Sequence, residues 1–275
     1  ARLEFFREYM RRMGVIRPGL VEEIVAKVEE VFGGTSLKLR FRSSSNAEDD
    51  IRFSGAGLYD STSVCIRDNY DGDDDGPSHC DPTKDSERTV ERGLKKVWAS
   101  LWRPRAYEER EYYQLDHSGT RMGILVTPAF PDEDASGVAF TGDPATGRKD
   151  YYVINVQKGD ESVVQPGTGV IPEKDLVYHQ DGLVTQIHRA RGSSLVESGE
   201  WVLSESQIRE LSGKLHTIET SMDVETAGYA REDICFDVEF KFDKGWLFIK
   251  QVRPMLMRSE EIPNPWTSVS DWLRY

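Results

Sequence analysis

Residues suited to holding an anion follow one predicted strand early in the chain. An arginine is followed by three serines, and two glycines come shortly before an aspartate and a further serine. Glycine lets backbone N–H groups approach a ligand closely, and a guanidinium can hold two oxygens at once. The pattern therefore predicts an oxyanion or phosphate site, with an ordinary polar connection as the alternative. The residues of this candidate anion site are Arg42, Ser43, Gly55, Gly57, Asp60 and Ser61.

A second polar group lies on two predicted strands near residues 243–245, which are expected to form a hairpin. Period-two alternation puts Asp237 and Glu239 on one face of the first strand, and Gln251 and Arg253 on one face of the second. A two-residue loop would place the two pairs on opposite faces, whereas a three-residue loop would place them together. Glycine at the third loop position favours the three-residue loop. The shared face would suit Mg²⁺ bridging a polyphosphate, and a solvated polar face is the alternative.

An acidic stretch contains carboxylates at the alternate positions of a calcium-binding loop, namely Asp71, Asp73 and Asp75. The twelfth position lacks the bidentate glutamate of a helix-loop-helix calcium site, which argues against that class of site. A Ca²⁺ ion at these three aspartates is therefore only a secondary expectation.

The segment 67–86 around these aspartates has few apolar side chains, so it is expected to be exposed and mobile. Cys65 and Cys80 bracket most of it and would pair in an oxidising compartment. The chain has three cysteines, a count that fits neither a disulfide scaffold nor a four-cysteine zinc site.

The composition excludes some classes of partner. Acidic side chains number 48 and basic ones 35, which gives a net charge of −13. A nucleic-acid backbone or an anionic membrane surface is therefore not expected as the main partner. No apolar run approaches the roughly 20 residues that a membrane-spanning helix needs.

The order of predicted elements runs from helices through a strand and further helices to a series of strands. In 275 residues this order predicts an α+β fold with two lobes. We predict an N-terminal part over residues 1–121, a C-terminal lobe over 122–258 and a tail over 259–275.

Five motifs occur in a recognisable order. Apart from the glycine loop before Asp60, they are Arg42–Asp49, Val97–Trp102 with Arg105, Ala135–Pro144, and the pair Asp237–Phe240 and Ile249–Pro254. Together they resemble the nucleotide-binding domain of the phosphoenolpyruvate synthase and pyruvate phosphate dikinase family. The resemblance extends from about residue 40 to residue 258.

The resemblance implies an ATP-grasp fold that holds ATP between two lobes. It implies that Arg42 and Arg253 contact the phosphates and act as the catalytic residues, while the glycine loop covers the phosphates. It places Mg²⁺ at Glu239 and Gln251, with Asp237 nearby. Glu161 falls where the family has a Gly-Leu-Gly-Glu motif and is expected to contact the nucleotide.

The sequence departs from the family pattern at several points. No counterpart of the family's first strand and its lysine-bearing Gly-Gly-Lys segment precedes Arg42, so we expect the fold to lack that segment. The adenine-hinge motif is replaced by Val-Thr-Pro-Ala at residues 126–129. Neither the phosphohistidine domain nor the pyruvate-binding barrel of the family is found in these 275 residues.

The leading hypothesis is therefore a cytoplasmic ATP-binding domain of a dikinase-like phosphotransferase. Its phosphoryl acceptor, a phosphohistidine domain or a small molecule, would lie outside this chain. The alternative is a catalytically inactive ATP-grasp relative that serves as a binding or structural module. That alternative includes a secreted protein if Cys65 and Cys80 pair.

Overall fold

The computed structural model describes most of the chain, in two compact units. The units are Ala1–Ala129 and Phe130–Tyr275, and each is described by itself. The described residues are 2–34, 38–50, 53–55, 57–70, 72, 75–129, 133–159, 161–164, 166–224 and 228–257. The predicted tail, 259–275, lies outside them, as do Asp71 and Asp73 of the calcium hypothesis.

The first unit combines helices with a small antiparallel sheet. Its three main strands have the order β4-β1-β5, and β2 pairs with β3. In chain order the elements are α1 (Arg2–Met13), α2 (Leu20–Phe32), β1 (Lys38–Ser45), β2 (Asp49–Asp50), β3 (Phe53–Ser54), β4 (Thr62–Cys65), α3 (Val90–Ala99), α4 (Pro104–Tyr112) and β5 (Met122–Pro128).

Alternation along β1 separates a buried face from a polar one. Leu39 and Phe41 are fully buried and belong to the same core as the apolar side of α3. Arg40 and Arg42 therefore occupy the opposite face of the strand. Helix α3 approaches this sheet closely, since a Cβ added at Gly93 would lie 2.5 Å from Val64 Cγ2.

Helix α3 begins at Val90 and is capped by the residue before it. The hydroxyl of Thr89 accepts a hydrogen bond from the backbone N–H of Arg92 and so caps the helix. This cap satisfies one of the N–H groups that every helix leaves without an internal partner.

Strand β5 pairs with β1 along its whole length, from Met122 opposite Ser45 to Pro128 opposite Leu39. It therefore groups with the first unit, and the contacts divide the chain between Ala129 and Phe130. The sequence interpretation had assigned this strand to the lobe beginning at residue 122. Long-range strand pairing, which local pattern does not reveal, accounts for the difference.

Most of the described residues of segment 67–86 are exposed, as predicted, but Asp68 and Ser78 are buried. Asp68 is 1% exposed, and its carboxylate accepts hydrogen bonds from the backbone N–H groups of His79 (2.9 Å) and Arg88 (2.7 Å). Burial alone would raise the pKa of Asp68, but these hydrogen bonds outweigh burial and lower it. A disulfide joins Cys65 to Cys80 and closes the segment covalently.

The second unit is a six-stranded antiparallel sheet with one long helix. The strand order is β11-β10-β6-β7-β8-β9. Ser204 and Gln207 form a capping box at the start of the helix. The elements are β6 (Ala135–Phe140), β7 (Tyr151–Lys158), β8 (Glu173–Gln180), β9 (Leu183–Arg191), α5 (Glu205–Ser221), β10 (Ile234–Asp243) and β11 (Trp246–Leu256).

Helix α5 shares the core of the second unit with one face of the sheet. The fully buried side chains Ile208, Leu211 and Leu215 of the helix belong to the same apolar cluster as Phe236 and Val238 of β10. Because side chains alternate along a strand, Asp237 and Glu239 lie on the other face. The predicted α+β class is confirmed, with antiparallel sheets. Among the described residues, no helix is both long and apolar enough to cross a bilayer.

Candidate functional site

The predicted polar face at the C-terminal hairpin exists. Glu239 of β10 lies directly opposite Gln251 of β11, and Asp237 lies opposite Arg253. Directly opposed residues of an antiparallel pair project from the same face of the sheet. The prediction that these four side chains share one face is therefore confirmed.

The turn that was expected to produce this arrangement is different from the prediction. Asp243 pairs with Trp246, so the loop contains two residues, Lys244 and Gly245. Both have positive φ, 50° and 80°, as the common type I′ hairpin turn requires. The expectation of a three-residue loop is therefore wrong, and the turn by itself would place the two polar pairs on opposite faces.

A β-bulge brings the two pairs back together. Phe240 pairs with Ile249, but the next pair is Glu239 with Gln251, so Lys250 is an extra residue on β11. One extra residue shifts the register by one, and a shift of one reverses which face the following side chains occupy. The bulge therefore aligns Gln251 and Arg253 with the two carboxylates.

Arg253 is positioned between the two carboxylates of this face. Its Nη1 lies 3.6 Å from Asp237 Oδ2 and 3.5 Å from Glu239 Oε1. The arginine side chain is 13% exposed, whereas those of Asp237 and Glu239 are 22% and 33% exposed. The group thus combines one firmly held cation with two accessible carboxylates, and it can interact with both a metal ion and an anion.

The donor set fits a magnesium ion that also uses ligand oxygens. Mg²⁺ in nucleotide sites is commonly held by one or two carboxylates together with phosphate oxygens and waters. Asp237, Glu239 and the amide oxygen of Gln251 supply hard oxygen donors of that kind. Within the described ranges, no group of three or more His, Cys, Asp or Glu side chains is arranged to hold a metal by itself.

In the first unit the structure ties the Arg42 segment to the glycine loop. The backbone N–H of Ser43 donates to Ser61 Oγ at 3.3 Å. The backbone N–H of Gly55 donates to the carbonyl oxygen of Glu48 at 2.6 Å, and a Cβ added at Gly55 would lie 2.7 Å from Glu48 Cα. Only glycine permits that approach, so the residue is required at this position for packing as well as for any ligand.

Glu48 and Asp60 hold this region together through ion pairs and hydrogen bonds. Glu48 is 5% exposed and accepts hydrogen bonds from the hydroxyl of Ser43 (3.3 Å) and the backbone N–H of Ser45 (3.2 Å). Asp60 accepts from Arg103 at 3.0 Å and lies 3.5 Å from Arg7. The sequence analysis assigned Asp60 to ligand binding and gave no role to Glu48. It did not identify Arg7 and Arg103 as partners of Asp60, because both are distant from it along the chain.

The remaining predicted site residues are placed as follows. Arg42 lies on the polar face of β1, opposite Leu125 of β5. Gly57 has a φ of 73°, in the left-handed region that favours glycine. Glu161 accepts a hydrogen bond from the backbone N–H of Gly167 at 2.7 Å and thereby orders the connection between β7 and β8.

The predicted residues thus form two groups. Arg42, Ser43, Gly55 and Ser61 are linked within the first unit by the contacts given above. Asp237, Glu239, Gln251 and Arg253 are brought together within the second unit. Their roles toward a ligand stay predictions.

Comparison with known protein families decides the affiliation of the chain. The family described as "Pyruvate phosphate dikinase, AMP/ATP-binding domain" matches residues 14–268. The chain belongs to this family. The resemblance indicated by the sequence motifs is therefore confirmed, and the chain is an ATP-binding domain of a phosphotransferase family.

Curated relatives are much longer than this chain. It is 28% identical to a phosphoenolpyruvate synthase of Pyrococcus furiosus over 268 residues, which cover 88% of this chain and 29% of the relative. It is also 34% identical over 122 residues to the prodigiosin synthesizing transferase PigC of Serratia marcescens, covering 44% of this chain and 11% of the relative. A rifampicin phosphotransferase of Bacillus cereus is 24% identical over 169 residues, covering 59% and 19%. The chain thus spans less than a third of each relative.

Proposed function

We propose that this chain binds Mg-ATP for phosphoryl transfer to an acceptor that lies outside it. The observation that carries the proposal is the polar face of the C-terminal hairpin, where Arg253 lies beside Asp237 and Glu239, opposite Gln251. A cation beside oxygen donors matches the needs of a metal-bound polyphosphate. The family match supports ATP as the nucleotide.

Each residue of the two groups has a distinct task in this proposal. Arg42 and Arg253 would donate hydrogen bonds to phosphate oxygens and neutralise the charge that develops on them during transfer. The backbone N–H groups around Gly55 and Gly57 would cover the phosphates. Ser43 would stabilise that loop through Ser61, as the hydrogen bond between them supports.

Asp237, Glu239 and Gln251 would hold the magnesium ion. When bound, the ion would screen the charge of the phosphates and lower the repulsion toward an incoming acceptor. Glu161 is proposed to act at the nucleotide indirectly, because its carboxylate already orders a loop through Gly167.

Phosphoryl transfer by positioning and charge neutralisation needs no covalent chemistry from these residues. The acceptor is a separate question. The names of the longer relatives are those of synthases and phosphotransferases, which supports an acceptor on another domain or a small molecule.

Substitution of Glu239 tests the metal assignment. Glu239→Gln should weaken ATP binding in Mg²⁺ by roughly 10- to 150-fold, the range for one lost charge-assisted contact, and should leave binding in EDTA unchanged. Calorimetric titration of ATP into the protein, with and without Mg²⁺, measures both. Glu210→Gln, an exposed carboxylate of α5, is the matched control. Equal ATP affinity of parent and Glu239→Gln in Mg²⁺ would show that the metal is held elsewhere.

One observation favours the inactive binding or structural module as a second candidate. The disulfide between Cys65 and Cys80 fits an oxidising compartment, where such bridges persist. The same titration separates the candidates, because a parent protein that binds no ATP with or without Mg²⁺ would support the inactive module.

A further inference from the structure

A basic pocket lies along the outer edge of the first unit's sheet, and none of its lining residues is among those assigned to the nucleotide. Its volume is about 400 Å³. The walls come from α1, the edge strand β4, the segment before α3 and α3 itself. The lining residues are Glu8, Arg11, Arg12, Thr62, Ser63, Ser86, Glu87, Arg88, Arg92, Gly93, Lys95 and Lys96.

The charge of this pocket opposes that of the whole chain. Six cationic and two anionic side chains line it, an excess of four positive charges, whereas the chain carries a net charge of −13. Collecting cations in a concave site costs electrostatic repulsion that an acidic protein could easily avoid. The concentration of positive charge therefore indicates a ligand that compensates it.

Glu8, one of the two acids of the pocket, is already engaged. It accepts hydrogen bonds from Arg11 at 2.8 Å and from Arg12 at 3.3 Å. Glu87 is buried, and its backbone carbonyl oxygen accepts a hydrogen bond from Arg92 at 3.2 Å. Among the described residues, neither acid forms an ion pair with the inner cations of the pocket.

Lys96 and Arg88 are those inner cations. Lys96 Nζ donates to Thr62 Oγ1 at 3.3 Å, and in the part of the chain that is described it has no carboxylate within 4.0 Å. Burial lowers the pKa of Lys96, and the positive charges of Arg11, Arg40 and Arg88 lower it further against the opposing effect of Asp60. The guanidinium of Arg88 likewise forms no ion pair among the described residues.

We propose that the basic pocket is a second anion site, which binds a compact polyanion with two linked phosphate groups. The hydroxyl of Thr62 and the inner cations Arg88 and Lys96 supply donors around one small volume. A diphosphate carries a negative charge comparable to the excess in the pocket, and its size suits the available volume. Arginine and lysine together with hydroxyls are the usual donors to phosphate oxygens.

The pocket borders the nucleotide residues of the same unit but shares no lining residue with them. Thr62 follows Ser61 in the chain, and the charge of Asp60 acts on the pKa of Lys96. β4 is an edge strand, and Thr62 pairs with Phe41, whose side chain is buried in the core. Arg42, by contrast, pairs on its other side with Leu125 of β5. Binding in the pocket therefore does not depend on the proposed function.

The test is calorimetric titration of inorganic pyrophosphate into the parent protein and into four variants. Lys96→Met and Arg88→Gln remove the inner cations one at a time. Lys27→Met removes an exposed lysine of α2 in the same unit and is the charge-matched control. Arg253→Met removes an arginine of the nucleotide group. A melting temperature for each variant confirms that it is folded.

We expect Lys96→Met and Arg88→Gln each to weaken pyrophosphate binding by roughly 10- to 150-fold, and Lys27→Met and Arg253→Met to leave this site unchanged. If pyrophosphate also enters the nucleotide site, the parent will bind two equivalents and Arg253→Met will lose only one of them. If either pocket variant fails to fold, the other decides alone. The proposal is overturned if the parent binds no pyrophosphate, or if folded pocket variants bind it as well as the parent.

Discussion

At the residue scale, the most unusual buried group is a pair of acids that share one arginine. Glu173 and Asp175 of β8 are both fully buried, and Arg189 Nη1 lies 3.1 Å from the first and 3.3 Å from the second. Burial, followed by the repulsion of Glu173, raises the pKa of Asp175 to about 7 despite the arginine. The guanidinium also donates to the carbonyl oxygen of Leu203 at 2.8 Å and so fixes the segment before α5.

This raised pKa makes stability depend on pH in a defined direction. Above its unfolded value of 3.8 and below about 7, the folded chain binds the Asp175 proton more tightly than the unfolded chain. The free energy of unfolding contributed by this group therefore falls as the pH rises through that window.

Asp175→Asn should remove that contribution, because asparagine is nearly the same size and does not titrate. The free energy of unfolding from urea titrations should then decline less between pH 5 and pH 8 than it does in the parent. Asp223→Asn, at an exposed position, is the control and should retain the parent's decline. An unchanged decline in Asp175→Asn would show that Asp175 is not the titrating group.

At the scale of elements, the C-terminal hairpin shows how two local features set one functional face. The type I′ turn at Lys244 and Gly245 starts the register, and the bulge at Lys250 shifts it by one residue. β8 and β9 are joined by a second two-residue turn with positive φ, at Asp181 and Gly182. The Lys244 turn differs from it by carrying a residue poorly suited to a positive φ.

Lys244→Asn should therefore stabilise the protein. A non-glycine residue in the left-handed region costs roughly 1–2 kcal/mol, and asparagine tolerates that region better than lysine. We expect the free energy of unfolding to rise by about 0.5–1 kcal/mol in urea titrations. Lys244→Val, a β-branched residue at the same position, should lower it. A decrease in Lys244→Asn would argue against the two-residue turn.

The same hairpin shows what the sequence could and could not predict. Alternation of residue types identified Asp237, Glu239, Gln251 and Arg253, because side-chain period is a local property of a strand. The turn and the bulge were not predicted, since one extra residue leaves little trace in the pattern of apolar residues. The predicted face was nevertheless correct, because the two errors cancel. The loop is one residue shorter than predicted, and the bulge adds one residue to β11 that was not predicted.

Contacts distant in sequence were also beyond local pattern. The burial of Asp68 depends on backbone N–H groups of His79 and Arg88, and the position of Asp60 depends on Arg7 and Arg103. The basic pocket likewise combines residues of α1, β4 and α3, from Glu8 to Lys96 along the chain. Such clusters form only when the fold brings separate elements together.

At the scale of the whole molecule, charge is separated within the first unit. A groove between α2 and the segment around Asp68 is lined by four acids, Glu22, Glu29, Asp68 and Glu91, whereas the basic pocket collects six cations. An acidic net charge thus coexists with local sites for anions. Overall charge alone, from which nucleic acid and membrane partners were excluded, would not have indicated them.

The chain as a whole carries candidate phosphate-binding residues in both of its units. The first contributes Arg42 and its glycine loop, and the second contributes Arg253 with the proposed metal ligands. Our central claim is the proposed role of Arg42 and Arg253 in binding ATP. Each would contact phosphate oxygens directly, so the loss of either should weaken binding whether or not Mg²⁺ is present.

The most direct measurement is the affinity for ATP of the parent, Arg42→Met, Arg253→Met and the double variant, by calorimetric titration in EDTA and in Mg²⁺. We predict a loss of roughly 10- to 150-fold for each single variant under both conditions. Lys214→Met of α5, which removes a charge outside both groups, should bind ATP as the parent does. ATP binding of unchanged affinity in either arginine variant would contradict the assignment of that arginine to the phosphates.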